Sequence, residues 1–176
     1  MTMEKKISKV FGLNDETWMR HANPWSVWSR NTALPILILA FWSRTWFGLW
    51  SILPIIAAII WTMVNPRIFA KPKSTNNWAS KSVLGERVWS NRDKVAIPDH
   101  HKLLPNILST VAGVGAVFVI WGTYKLAIGL VVFGAALVYC GKLWFLDRMV
   151  WLYEDMKEDP LYKTWLYLDE PGQSLD

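Results

Sequence analysis

Hydrophobic positions along this chain gather into two long blocks, residues 25–64 and 104–146, with polar, basic segments before, between and after them. Each block is about twice the roughly 20 apolar residues that a helix needs to cross a bilayer. Each also breaks near its middle, at Ser43-Arg44-Thr45 and at Thr123-Tyr124-Lys125. The pattern predicts an all-α polytopic membrane protein with four transmembrane helices in two hairpins, spanning about 25–42, 46–64, 104–122 and 126–146. Leu-Pro occurs at 34–35, 53–54 and 104–105. The first two pairs fall inside predicted spans, where a proline frees a carbonyl and kinks the helix.

The polar segments have their own periodicities. Residues 65–103 are too long for a turn, and Asn76 or Asn77 can cap a helix through WASKSVLGERVW that sets Trp78 and Trp89 on one face, the pattern of a cytoplasmic interfacial helix. At the N-terminus, Ile7, Val10 and Phe11 stripe a short surface helix that Gly12 ends. Asn14 caps a second one, with Leu13 stapled on Trp18 and His21 at its end, and Asn23-Pro24 starts a third that leads into the first span. From Gly141 to Met156 no breaker occurs before Pro160, so the fourth span should continue into the cytoplasm as one helix. The layout is therefore 1–30 as N-terminal helices, 25–64 as the first hairpin, 65–103 as the central loop, 104–146 as the second hairpin and 147–176 as a helical extension and tail.

Composition agrees with this reading. The chain has 176 residues, 52% of them hydrophobic, and 13 are tryptophan. Many of the tryptophans flank the apolar runs, where an amphipathic ring suits the headgroup interface. Seventeen of the 19 Lys and Arg residues lie within residues 1–30, 65–103 and 142–176, and each hairpin tip holds one. Because Lys- and Arg-rich short loops stay on the cytoplasmic side, both termini and the central loop are expected there. Topology and anionic lipid thus explain the net charge of +5 without nucleic acid. No uninterrupted apolar stretch near the N-terminus suits a cleaved signal peptide, so the first span serves as its own signal. Arg30 is expected to snorkel to the interface. Ala127, Gly134 and Gly141 recur every seven residues and read as a packing stripe within the bundle, with homo-oligomerisation as the alternative. Ser109 and Gly113 offer a similar step. Almost no polar groups lie within the spans, which argues against a channel or transporter.

Candidate chemistry collects on the predicted cytoplasmic rim, where His21, His100 and His101 join Glu86, Asp147, Glu154 and Asp155. Imidazoles mixed with carboxylates suit iron, zinc or manganese, and His21, His100, His101 and Glu86 are the candidate metal ligands. No His-xxx-His or Glu-xx-His pair preorganises two of them on one helix. Asp147 and Glu154 are the candidate acid/base groups, and Arg67, Arg87 and Arg148 could hold a lipid phosphate. Against that, Glu86-Arg87 and Asp147-Arg148 read first as structural ion pairs between the loop helix and the fourth span. Membrane desaturases and hydroxylases also place histidines at the cytoplasmic ends of hairpins, but in clustered boxes, whereas this chain has three histidines in all.

The strings HANPWSVWSR, NPRIF, NWASKSVLGERVW and GKLWFLDRMVWLYEDM, within residues 10–157, resemble a family of small prokaryotic integral-membrane proteins of unknown function. The resemblance implies a bacterial or archaeal inner membrane and no particular reaction. The functional expectation is an accessory or scaffolding membrane subunit in contact with lipid, a membrane-protein partner or a second copy. The alternative is a metal-dependent membrane enzyme with its site at the cytoplasmic interface.

Overall fold

A computed structural model describes residues 15–165, and every regular element among them is helical. The elements are α1 (Asp15–His21), α2 (Pro24–Arg30), α3 (Ala33–Trp42), α4 (Arg44–Phe47), α5 (Ile52–Ile68), α6 (Trp78–Ser90), α7 (Leu103–Lys125) and α8 (Ile128–Met156). Single 3-10 turns cover Gly48–Ser51, Asp99–His101 and Lys163–Trp165. Three stretches are long and apolar enough to cross a membrane: Pro24–Ile68, Asp99–Lys125 and Ile128–Met156. The stripe at Ile7, Val10 and Phe11, the Asn14 cap and the Leu13 staple lie outside the described residues.

Local signals explain most helix starts. The Asn23 side chain accepts from Trp25 N at 2.9 Å, and Pro24 occupies the first helical position, where its missing N–H costs nothing. Asn77 caps α6 by accepting from Ser80 N at 2.9 Å. The Leu-Pro pairs behave differently from the expectation of kinks. In α3, α5 and α7 the proline is the third residue (Pro35, Pro54 and Pro105), so each Leu-Pro opens a helix. The first N–H groups of a helix lack partners anyway, so a proline there frees no carbonyl. The expected first span is consequently two helices, broken at Asn31-Thr32, and α5 begins several residues later than expected because Arg44 to Ser51 forms two short turns.

α5 runs back alongside α2 and α3. Trp61 Nε1 donates to Thr32 Oγ1 at 3.2 Å, and the buried Asn65 donates to Ser29 Oγ at 2.7 Å. α7 and α8 pair far more closely. A Cβ on Gly115 would sit 2.7 Å from the carbonyl oxygen of Gly134, and one on Gly134 equally close to that of Gly115. Two helix backbones approach this closely only where both side chains are hydrogen. Gly141 lies in the same way on Leu108, so the stripe through Gly134 and Gly141 is spent inside the pair, whereas Ser109 and Gly113 face outward. The polypeptide turns between α7 and α8 with Leu126 in the left-handed region (φ 57°), and Ala127 N donates back to Gly122 O at 2.8 Å. The Arg44 guanidinium binds the carbonyls of Thr123 (2.6 Å) and Tyr124 (2.9 Å), joining this turn to the α3–α5 connection.

The packed core lies at the other end. α8 continues unbroken past its apolar run, and α6 lies across that extension, burying Leu84, Val88 and Trp89 against Phe145, Met149, Leu152 and Tyr153. Gly85 permits the contact, because a Cβ there would overlap the Met149 carbonyl. A second cluster, Ala22, Val27, Ala79 and Val83, ties α6 to α1 and α2. Trp78 and Trp89 thus meet protein and not an open surface. Trp78 stacks on Trp28 with ring centroids 5.7 Å apart and donates to Asp147 at 3.1 Å. By contrast, α5 leaves Ile52, Leu53, Ile56, Ile59, Ile60 and Met63 exposed.

Candidate functional site

The residues expected to form one rim site fall into two groups. The first forms around α1 and the break after α2. His21 is buried at the end of α1, its ring edge-on to Trp18, and both of its ring nitrogens face Arg30 Nη1, Nδ1 at 3.2 Å. Arg30 does not snorkel outward: its Nε donates to Ser26 O at 3.1 Å and its Nη2 reaches the His21 carbonyl. Glu86, on α6, accepts from Lys142 of α8 at 2.5 Å. Burial above all, then the positive charges of Arg30 and Lys142, hold the His21 imidazole well below its ordinary pKa. A neutral ring can accept from a guanidinium, which is always charged, so His21 acts here as an acceptor.

The second group is compact and differently composed. Pro98 leads into the 3-10 turn Asp99–His101, closed by His101 N donating to Pro98 O at 3.0 Å, and the two adjacent imidazoles lie with centroids 4.2 Å apart. Both turn toward Asp155, on the last turns of α8. His101 Nε2 is 2.7 Å and His100 Nε2 3.2 Å from the same oxygen, Asp155 Oδ2. One ligand atom from each residue lies within 4.8 Å of the others, the only such group of three among the described residues. His101 is 1% exposed, whereas the side chains of His100 (65%) and Asp155 (44%) stand at the surface. Two neutral imidazoles and one carboxylate can hold a divalent cation or pass a proton.

Of the four expected metal ligands, then, His100 and His101 are together, while His21 and Glu86 are placed with Arg30 and Lys142. Asp155 takes the remaining position. The sequence placed Asp155 on the rim but not among the ligands; the packing of Leu108 on Gly141 is what brings residues before α7 to α8 beyond its apolar run. The rim carboxylates Asp147 and Glu154 serve other contacts. Asp147 accepts from Trp78, and Glu154 bridges Lys81 (2.6 Å) and Lys157 (2.7 Å). Ion pairing between the loop helix and α8 is therefore present, through Lys81–Glu154 and Glu86–Lys142 in place of the expected partners. Arg87 instead lies over the Trp165 ring, 3.9 Å from its centroid. Cys140 is exposed on α8.

A model described as a family of unknown function, DUF6653, matches residues 2–165. Neither a curated protein nor a solved structure matches the chain.

Proposed function

The chain belongs to this family of unknown function, and we propose that it is a four-crossing protein of a prokaryotic inner membrane, with both termini cytoplasmic, that serves as a non-catalytic accessory or scaffolding subunit. In this reading α2–α3, α5, α7 and the first part of α8 cross the bilayer as two hairpins. The observation that carries it is the distribution of exposed aromatic rings. Trp46, Trp50, Trp121 and Tyr124 lie exposed at the Arg44 end, and Trp25, Trp28 and Trp144 at the end that carries α6. Between these levels the exposed side chains are mostly aliphatic or Phe, with Ser109, Thr110 and Cys140 among the exceptions. Two aromatic girdles around an apolar band are what a bilayer selects. Residues 128–146 span about 27 Å at about 1.5 Å per residue, close to the roughly 30 Å hydrocarbon core.

The scaffolding role is supported by how the cytoplasmic rim is used. Glu86, Asp147 and Glu154 are each engaged by a neighbouring helix, which makes the rim a rigid cap and leaves no open acid/base pair among them. α8 is one rod through the apolar band and the cap, and it shows Trp144 and Trp151, 56% and 57% exposed, on one face to lipid or to a membrane partner.

Two measurements test the reading. In a Cys140→Ala background, a cysteine at Thr45 should react with a membrane-impermeant maleimide from the periplasmic side of intact cells. One at Lys71 should react only after lysis. The opposite order refutes the topology. A photo-crosslinking residue at Trp151 should give one discrete adduct in native membranes, and adducts with lipid alone refute the subunit role.

A further inference from the structure

We propose that His100, His101 and Asp155 form a binding site for a divalent transition-metal cation of the zinc type on the rim of the molecule. The site stands independently of the scaffolding role. Three donors converge on one point from two separate elements, the turn before α7 and the end of α8, with both imidazole Nε2 atoms directed at a single carboxylate oxygen. With metal–ligand bonds of about 2.0–2.2 Å, the ligand atoms of a tetrahedral site lie roughly 3.4 Å apart. The distances of 2.7 and 3.2 Å to Asp155 Oδ2 need only small outward rotations to reach that spacing. His101, which is almost fully buried, supplies a fixed donor, and the exposed His100 and Asp155 side chains supply the adjustment.

The electrostatics favour this cluster over the other. A cation at His21 would face Arg30 and Lys142, whereas Lys102, next to His101 in the chain, is paired with Asp99 at 2.6 Å, and Lys157, two residues from Asp155, is paired with Glu154 at 2.7 Å. The same geometry sets the strength of the site. Three protein ligands leave positions for water, as in open metal sites. When His101 ligates through Nε2 its proton moves to Nδ1, which is buried with no acceptor among the described residues. Second-shell acceptors of this kind typically contribute ten- to a hundredfold in affinity, so binding should be micromolar and not tighter.

The experiment is a titration of chelator-stripped, detergent-purified full chain with Zn2+ alone, followed by competition against a chromophoric chelator. One ion per chain at micromolar affinity is expected. Because His101 is buried and its loss could unfold the cap, the test uses the exposed pair. His100→Ala and Asp155→Asn should each weaken binding by roughly tenfold or more, with unchanged thermal unfolding in the absence of metal. His21→Gln should bind as the parent does. Absence of stoichiometric binding at a hundred micromolar Zn2+ overturns the site, as does binding that survives the His100→Ala/Asp155→Asn double substitution.

Discussion

Replacing Gly85 by alanine tests how the cap is joined to the membrane helices. Alanine normally stabilises a helix interior by up to about 1 kcal/mol relative to glycine. At Gly85 the added Cβ would lie 2.5 Å from the Met149 carbonyl carbon and 2.9 Å from its Cβ, and would overlap the carbonyl oxygen. Non-bonded carbons rest at about 3.5–4.0 Å, so α6 must lift from α8 by about 1 Å. The obstacle is main chain within a long helix and cannot rotate away. The lift disturbs Leu84, Val88 and Trp89 on one side and Met149 and Leu152 on the other, all buried. Overpacking of this kind costs typically 1–3 kcal/mol, and contact with backbone puts Gly85→Ala at the upper end. After the propensity gain the net loss is about 2 kcal/mol, a fall in Tm of roughly 4–8 °C for a chain of this size. Gly113→Ala is the control, because nothing lies within 4 Å of its added carbon. Tryptophan fluorescence during thermal unfolding in detergent reads both variants. If Gly85→Ala unfolds at or above the temperature of Gly113→Ala, the close docking of α6 on α8 is wrong.

Two further perturbations probe the polar contacts. His21 has a folded-state pKa well below 6.5, so the unfolded chain binds its proton first, and His21 makes stability fall as the pH drops from about 6.5 toward that lowered value. The slope reaches at most about 1.4 kcal/mol per pH unit, and His21→Gln, which keeps an acceptor for Arg30 but does not titrate, should remove this component; parallel stability curves for parent and variant between pH 6.5 and 5 would falsify the assignment. At the opposite end, Arg44→Met keeps the aliphatic stem but loses the bonds to the Thr123 and Tyr124 carbonyls. Its expected cost is about 1–2 kcal/mol, reduced from the usual value for charged donors by solvent exposure, and an unchanged unfolding temperature would show that the link contributes nothing.

What could be read from the chain alone was what local energetics decides. The two apolar blocks, the Asn23-Pro24 and Asn77 helix starts and the uninterrupted run to Met156 each depend on neighbours a few residues away, and all are present in the fold. The Leu-Pro pairs carried a local signal as well, since an identical dipeptide recurring at three helix starts matches the freedom of the first turn from backbone partners. Which glycines would be spent on packing was not local. Gly134 and Gly113 look alike in sequence, and only the register of α7 against α8 buries one and exposes the other.

The site divides in the same way. Sequence placed histidines and carboxylates on one rim, because polar groups are excluded from the apolar runs, but it held no rule for pairing them. His100 and His101 meet Asp155 only because a hairpin more than 50 residues around folds the end of α8 back beside the turn before α7. His21 is withdrawn from such a partnership because α2 delivers Arg30 against its ring. Contacts between distant segments follow from helix register and burial. No spacing within one segment encodes them, so the membrane class belonged to the sequence and the choice of ligand partners to the tertiary structure.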